Sequence, residues 1–411
     1  MDFRDLGVRA SLIRFIALYA TLYGAFGVAS PFLPAFLAER GLDPASIGMV
    51  LAAGTSVRLV AGPVAGRMAD RWQAARAILT CCTLAAALVA FGYLPAQGFL
   101  LLLAVSMAHA AVLAPMAPLS DALALRAAIP SGGASQPGAG FNYGWVRGAG
   151  SAAFIIGSVL SGQAVGLLGL DAIIWLNGGL LAACVLCAAR VPAPVSRLGT
   201  PPPVPGLPKR EGVRTLLHLR PFRRVVLVAA LILGSHAMHD GFVVIHWRDA
   251  GIGTGVISVL WSEAVAAEVV VFLLLGRFLL SALGPAGALA LAALAGVLRW
   301  GVLAMTPSVL AGALVEPLHG LTFALQHLAT MRLITEMVPA RIAATAQTLY
   351  ATLGVGAASA AVTLLSGPLY GRFGAGGFWV MSALCALALP VIWRVHRDGS
   401  SLPPHQKESS A

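Results

Sequence analysis

The sequence predicts an all-α membrane protein, with twelve transmembrane helices arranged as two six-helix bundles. Three observations predict it. The 411 residues are 58% hydrophobic and only 10% charged, whereas a soluble globular domain carries about 25% charged residues, so lipid must be the solvent for much of this chain. Twelve separate windows are apolar over a length that can cross a bilayer, which takes about 20 helical residues. One long Pro-rich, basic segment divides those windows six and six.

The windows run 12–37, 45–65, 77–94, 98–126, 143–168, 172–189, 225–247, 256–275, 286–305, 309–331, 343–368 and 376–393. Stretches such as FLLLLAVSMAHAAVLA, residues 99–114, are continuously apolar. Strands of a membrane barrel alternate apolar and polar residues, so these windows read as helices. The first window is too long for a cleaved signal peptide, lacks a clear cleavage site, and is followed by further spans.

The net charge of +11 would point a soluble protein toward nucleic acid, but here its placement decides. With the N-terminus inside, only Arg40, Arg248 and Arg372 of the 27 Lys and Arg fall in outward loops, and Arg58, Arg147 and Arg299 lie within spans. The rest are on the inner side. That asymmetry predicts both termini in the cytoplasm and makes the basic excess a topology signal, with no nucleic-acid partner. All five cysteines lie in spans. Cys184 and Cys187 form a CxxC with no second pair in an apolar helix, which reads as inert packing and not as a metal or redox site.

The dividing segment, residues 190–224, carries eight Lys and Arg and reads as a cytoplasmic linker. It separates an N-terminal bundle, 1–189, from a C-terminal bundle, 225–394, with a cytoplasmic tail at 395–411. Residues 130–142, PSGGASQPGAGFN, form a shorter flexible loop. An internal repeat supports the split. SGQAVGLLGLDAIIW (161–175) and SGPLYGRFGAGGFW (366–379) share Ser-Gly, then Gly four on and Gly three further on, and Trp175 recurs as Trp379. Gly66-Arg67 recurs as Gly276-Arg277. The offsets, 205, 204 and 210, are near half the chain length.

Two six-helix halves with substrate handled near the midplane between them is transporter architecture. GRMADRW (66–72) adds a motif, and with it the chain resembles the major facilitator superfamily, whose loop between spans two and three carries Gly, Asp four on, then a basic residue. The resemblance implies a gating role for Gly66, Asp70 and Arg71, with Asp70 capping a facing helix N-terminus. The later glycine of the motif is missing here, where Gln73, Ala74 and Ala75 precede Arg76.

Ionisable groups inside spans cost about 2.5–3.5 kcal/mol each on insertion scales, so they mark cavities or pairs. In the second half Asp240, Glu263, Arg299 and Glu316 share a layer roughly 10 Å below the outer surface at 1.5 Å per residue. Arg299 is expected to pair with Glu263 or Glu316. Glu268 lies deeper, and Glu316, His319 and His327 are expected to recur on one helical face. His236, His239 and Asp240 cluster in GSHAMHDGF (234–242), as cavity-lining or proton-handling groups or as a satisfied structural set. Three ligands on one helix do not make a metal site. In the first half Arg58, His109, Asp121 and Arg147 lie in spans, and an Asp121–Arg147 ion pair is expected. Tyr19 and Tyr23, four apart on span one, fit packing as well as substrate contact.

PLSDAL (118–123), YGWVRGAGS (143–151), SEAVAAEVVVF (262–272), VLRW (297–300) and PLHGLTF (317–323) resemble one clade, the lactose-permease-related proton symporters, and within it especially the phenylpropionic-acid permease family. That resemblance covers nearly the whole chain. It implies a substrate-handling acid–arginine pair at Asp121 and Arg147, and coupling roles for Glu263, Arg299 and His319. The phenylpropionic-acid family shares Glu268, Arg58, Arg299, His319 and His327. The symporters' proton-carrying glutamate, three residues after the histidine, is Thr322 here, so another acid must carry the proton: Glu268, Glu316, Asp240 or Glu263, in that order.

The expectation is a monomeric secondary transporter of the bacterial inner membrane, not an enzyme, taking up a small organic acid by alternating access with protons as coupling ion and no other cofactor. Arg58, Asp121, Arg147, Tyr23 and His109 would contact substrate, the arginines holding a carboxylate. Protonation of the carrier acid would release it from Arg299. The alternatives are a sugar or nucleoside symporter, a drug exporter, or a non-transporting membrane sensor of the same fold.

Overall fold

Helices fill the chain because its apolar runs are long and backbone in lipid must bond within its own segment, and they absorb even interior prolines such as Pro31, Pro34 and Pro63. The computed structural model describes residues 3–128, 141–192 and 209–400, and every regular element among them is helical. Residues 193–208 of the expected linker, 130–140 of the shorter loop and 401–411 of the tail lie outside the described residues.

In the first half the helices are α1 (Phe3–Glu39), α2 (Pro44–Trp72), α3 (Ala75–Phe91), α4 (Phe99–Leu113), α5 (Met116–Ala128), α6 (Tyr143–Leu168) and α7 (Asp171–Arg190). Next come α8 (Lys209–His218), α9 (Arg220–Gly234), α10 (His236–Asp249), α11 (Thr254–Val270) and α12 (Gly276–Met305). The last are α13 (Val309–Val315), α14 (Gln326–Met337), α15 (Ala343–Leu349), α16 (Ala358–Phe373) and α17 (Phe378–Ser400). Local chemistry sets several ends. Asp43 caps α2, its Oδ1 accepting from the Ser46 amide at 2.7 Å with Pro44 following. Asn142 caps α6 by accepting from the Gly144 amide at 2.7 Å. Gln73 ends α2 in the left-handed region, φ +50°, and its Nε2 donates to the Asp70 carbonyl at 2.7 Å.

Nine helical runs among the described residues are long and apolar enough to cross a membrane. Two of them, Thr254–Met305 with 52 residues and Ala343–Arg397 with 55, are about twice the length needed. Each is broken midway. Gly284 leaves helical geometry at φ +67°, ψ 169°, ahead of Pro285, and Gly374, at φ +53°, stops α16 before α17. Counting both halves of each long run, and adding the shorter apolar α3, agrees with twelve crossings. The repeat seen in the sequence gains a physical reason here: Gly169, at φ +82°, ends α6 as Gly374 ends α16. Leu100, Leu167 and Leu273 stand 77%, 85% and 73% exposed, an outer surface that lipid accommodates and water does not.

The chain divides into two compact units, Met1–Thr200 with Asp240–Ser262, and Pro201–His239 with Glu263–Ala411. Most of α10 and the start of α11 therefore associate with the first unit. Within 190–224, α8 is a helix and α9 has already begun. The first unit's core gathers Phe15, Leu18, Leu22, Met116, Leu181 and Cys184. The second unit's core gathers Val225, Val228, Ile232, Leu289, Ala292 and Leu325. In the first unit α1 and α6 cross at backbone contact. A Cβ on Gly157 would sit 2.5 Å from the Gly24 carbonyl oxygen, and one on Gly27 would sit 2.1 Å from that of Phe154. Small residues at such crossings let membrane helices gain packing that lipid cannot supply. Gly157→Ala is expected to cost about 1–3 kcal/mol by overpacking, lowering the unfolding temperature in detergent. Gly66→Ala, whose Cβ would meet nothing within 4 Å, is expected not to lower it.

Candidate functional site

In the second unit the polar side chains converge on one guanidinium. Arg299 of α12 has no solvent exposure, and neither does its partner Glu316. Arg299 Nη2 donates to Glu316 Oε2 at 2.6 Å, and Nη1 lies 3.0 Å from His319 Nδ1. Of the two acids expected for Arg299, the structure selects Glu316. Its flat face rests on the Trp300 ring, 4.5 Å from the centroid. Trp300 is itself held by Nε1 donating to Ser235 Oγ at 2.8 Å.

A guanidinium can only donate. His319 Nδ1 must therefore accept, and the ring proton of the neutral imidazole sits on Nε2. That nitrogen faces Glu268 Oε2 at 3.6 Å. Arg299 thus aims a proton of His319 at Glu268. Of the four candidate carrier acids, Glu316 is the one tied to Arg299, while Glu268 meets His319. A second imidazole, His239 of α10, places Nε2 at 3.1 Å from Glu316 Oε1 and 3.2 Å from Arg299 Nη2. One ring nitrogen serves only one of these: it donates to the carboxylate or accepts from the guanidinium. His236 turns instead to Thr322, Nε2 to Oγ1 at 2.9 Å, so the position of the symporters' glutamate carries a hydroxyl–imidazole contact.

Irregular backbone positions these groups. Residues 316–318 form a 3₁₀ turn and 320–325 a π turn, a common departure at functional sites. Gly320 explains how α11 comes so close: a Cβ there would lie 2.6 Å from the Ala267 carbonyl oxygen, one residue before Glu268. The wider π turn also rotates the following helix. His327 bonds the Tyr350 hydroxyl at 3.2 Å and packs against Phe272, not with Arg299 and Glu316. It remains within electrostatic reach of Glu268, the acid that faces His319. Glu263 is half-buried and makes no ion pair among the described residues. Asp240 is exposed and belongs to the first unit.

The first unit arranges its charges differently. Asp121 of α5 and Arg147 of α6 form no ion pair within 4 Å among the described residues, contrary to expectation. Asp121 Oδ1 accepts from the hydroxyls of both Tyr19 and Tyr143, the latter at 2.8 Å. Arg147 is exposed and lies over the Tyr23 ring, 4.7 Å from its centroid. Tyr19 and Tyr23 stack at 5.5 Å. Arg58 of α2 is exposed and lies within electrostatic reach of Tyr93 and His109. His109 is 5% exposed, its Nε2 has no hydrogen-bond partner among the described residues, and the Tyr93 ring meets it edge-on. In the loop motif Asp70 and Arg71 are exposed. The Asp70 carboxylate accepts no hydrogen bond among the described residues, so the expected helix cap is not formed there.

Sequence reasoning named Tyr19 and His239 without their partners and passed over Trp300 and Tyr143. Trp300 and Tyr143 were signalled, one by adjacency to Arg299 and the other by standing four residues before Arg147 on the same helical face. Tyr19's tie to Asp121 and His239's tie to Glu316 join separate helices and had no local signal.

Comparisons with known proteins agree with this architecture. A family model described as MFS_1 like family matches residues 12–381. The chain is 31% identical over 389 residues to the "Probable 3-phenylpropionic acid transporter" of Escherichia coli (strain K12), covering 92% of this chain and 96% of that one. It is 27% identical over 390 residues to the "Maltose permease" of Geobacillus stearothermophilus, covering 93% of each. A crystal structure of the nucleoside transporter NupG superposes with a TM-score of 0.76 at 16% identity, covering 94% of this chain and 98% of that one.

Removing one member of the buried pair tests its energetics. Glu316→Gln strands the Arg299 charge and is expected to cost about 3–5 kcal/mol, whereas Arg299→Met with Glu316→Leu restores most of that loss. Thermal unfolding of the purified variants in detergent measures both.

Proposed function

The chain belongs to the MFS_1-like family and is a secondary transporter with multiple membrane spans, and from that premise we propose that it takes up a small organic acid, in the first instance an aromatic acid such as 3-phenylpropionate, together with protons. Uptake proceeds by alternating access across the bacterial inner membrane, with both termini in the cytoplasm and a single chain as the working unit.

One observation carries the coupling part of this reading: Arg299 holds His319 by Nδ1 so that its other nitrogen faces Glu268 at 3.6 Å. Glu268 is 23% exposed and Glu316 is fully buried, so of these two Glu268 is the more accessible to a proton. Glu316 serves as the fixed counter-charge of Arg299, and Glu268 as the carrier. A proton arriving on Glu268 removes the charge opposite His319, and with it the attraction that favours one arrangement of α11 against residues 316–325. The differential affinity of the proton for the two arrangements is what shifts the equilibrium between them.

The substrate part rests on Arg147 and on the 31% identical relative. A guanidinium beside an aromatic face suits an aromatic carboxylate, pairing with its charge and leaving the ring to stack. Arg58, with His109 beside it, is a second cation for an anionic substrate. The identity to a maltose permease favours sugar symport as a second reading, and Thr322 at the symporters' glutamate position argues against direct analogy.

Proteoliposomes holding a pH-sensitive dye test the proposal. Adding 3-phenylpropionate outside is expected to acidify the lumen with the native chain and not with Glu268→Gln. Coupled flux that survives Glu268→Gln would remove Glu268 as carrier. Acidification with maltose and not with 3-phenylpropionate would favour the second reading.

A further inference from the structure

We infer that Tyr19 and Tyr143 are positioning residues that hold Asp121 away from Arg147, and so keep the Arg147 guanidinium without a carboxylate partner and open to an anionic substrate. The inference deepens the proposed function and rests on it for the nature of that anion.

The geometry divides an acid and a cation that stand on neighbouring helices. Both phenol hydroxyls donate to the same oxygen, Asp121 Oδ1, which fixes the carboxylate between α1 and the start of α6. Two donors on one oxygen satisfy much of what a half-buried carboxylate demands and weaken its pull on other donors. The cation is held at the far end of the same aromatic pair. Tyr23 stacks on Tyr19, interplanar angle 25°, and its face carries the Arg147 guanidinium at 4.7 Å. The Tyr19–Tyr23 stack thus engages the acid through one ring and the cation through the other.

The motif that carries Arg147 also makes room for the stack. A Cβ on Gly150 would lie 3.0 Å from Tyr23 Cδ2 and 3.1 Å from Tyr19 Cδ1, so the bare α-carbon one turn after Arg147 lets both rings lie against α6. Two consequences follow for selectivity. An acid–arginine pair presents both signs to a ligand and suits a neutral, hydroxyl-bearing one. A clamped acid with an unpaired arginine presents a net cation beside an aromatic face.

The test reads Arg147 itself, so it does not depend on knowing the substrate. The full chain in detergent is treated with phenylglyoxal, which modifies accessible guanidinium groups, and labelling is followed by peptide mass spectrometry. Arg67, exposed and distant in sequence, serves as the internal reference for folding. Tyr19→Phe with Tyr143→Phe is expected to release Asp121 toward Arg147 and slow labelling of Arg147 about fivefold, the size of effect a partly exposed ion pair supplies. Adding Asp121→Asn to that pair is expected to restore the native rate. Equal labelling in all three proteins, or slowing that Asp121→Asn does not relieve, overturns the inference. Protection of native Arg147 by 3-phenylpropionate is read in the same samples: its absence would count against the substrate reading alone, because the contrast among the three variants is measured without ligand.

Discussion

A guanidinium with no access to water is the constraint on which the second unit is built. Arg299 cannot shed its proton, and burial of an isolated cation costs several kcal/mol even after relaxation. Its surroundings therefore have to supply charge and acceptors. Glu316 provides the charge at 2.6 Å, His319 a ring nitrogen at 3.0 Å, and Trp300 a π face. One donor, Nε, is buried with no acceptor among the described residues. Much of the local irregularity serves this cluster. The interruption of the helix at Ser235 supplies the hydroxyl that fixes Trp300, and the turns at 316–325 bring Glu316 and His319 to the same cation. Gly320 lets α11 approach closely enough for Glu268 to join.

The two units treat charge in opposite ways, which gives the proposed division of labour a physical basis. In the second unit the acid and the arginine are sealed together, so the net charge of the pair is near zero and a proton matters only at its margin, on His319 and Glu268. In the first unit Asp121 is bound by tyrosine hydroxyls and the Arg147 guanidinium is exposed over Tyr23. A sealed pair makes a poor substrate site because a ligand would have to break it. An unpaired cation beside an aromatic ring makes a poor proton store because arginine does not titrate in the accessible range. Under the proposed function each arrangement suits the task given to it.

Much of this was legible in the sequence, for reasons that can be named. Spans follow from apolar length, and the glycines at 169 and 374 recur because each ends a helix in a conformation that suits a residue without a side chain. The Arg299–Glu316 pair was foreshadowed by shared depth, since helical rise converts residue number into height in the bilayer. Depth leaves rotation and distance open, and the misses arose there. Asp121 and Arg147 match in height, yet the carboxylate is taken by the Tyr19 and Tyr143 hydroxyls and the guanidinium lies over Tyr23. His327 stays within electrostatic reach of Glu268, but its hydrogen-bond partner, Tyr350, lies on another helix and could not be named from spacing. Asp70 sits in a recognisable motif, but the motif does not specify what faces it.

The central claim is that Arg299 fixes His319 as an acceptor at Nδ1, directing its other nitrogen to Glu268. Nitrogen-15 NMR of the full chain, with labelled histidine and His319 assigned by comparison with His319→Gln, reads the protonation of each ring nitrogen separately. The account predicts a bare Nδ1 and a proton on Nε2 for His319 in the native chain, with that preference lost in Arg299→Met carrying Glu316→Leu. A native His319 that carries its proton on Nδ1 would contradict it.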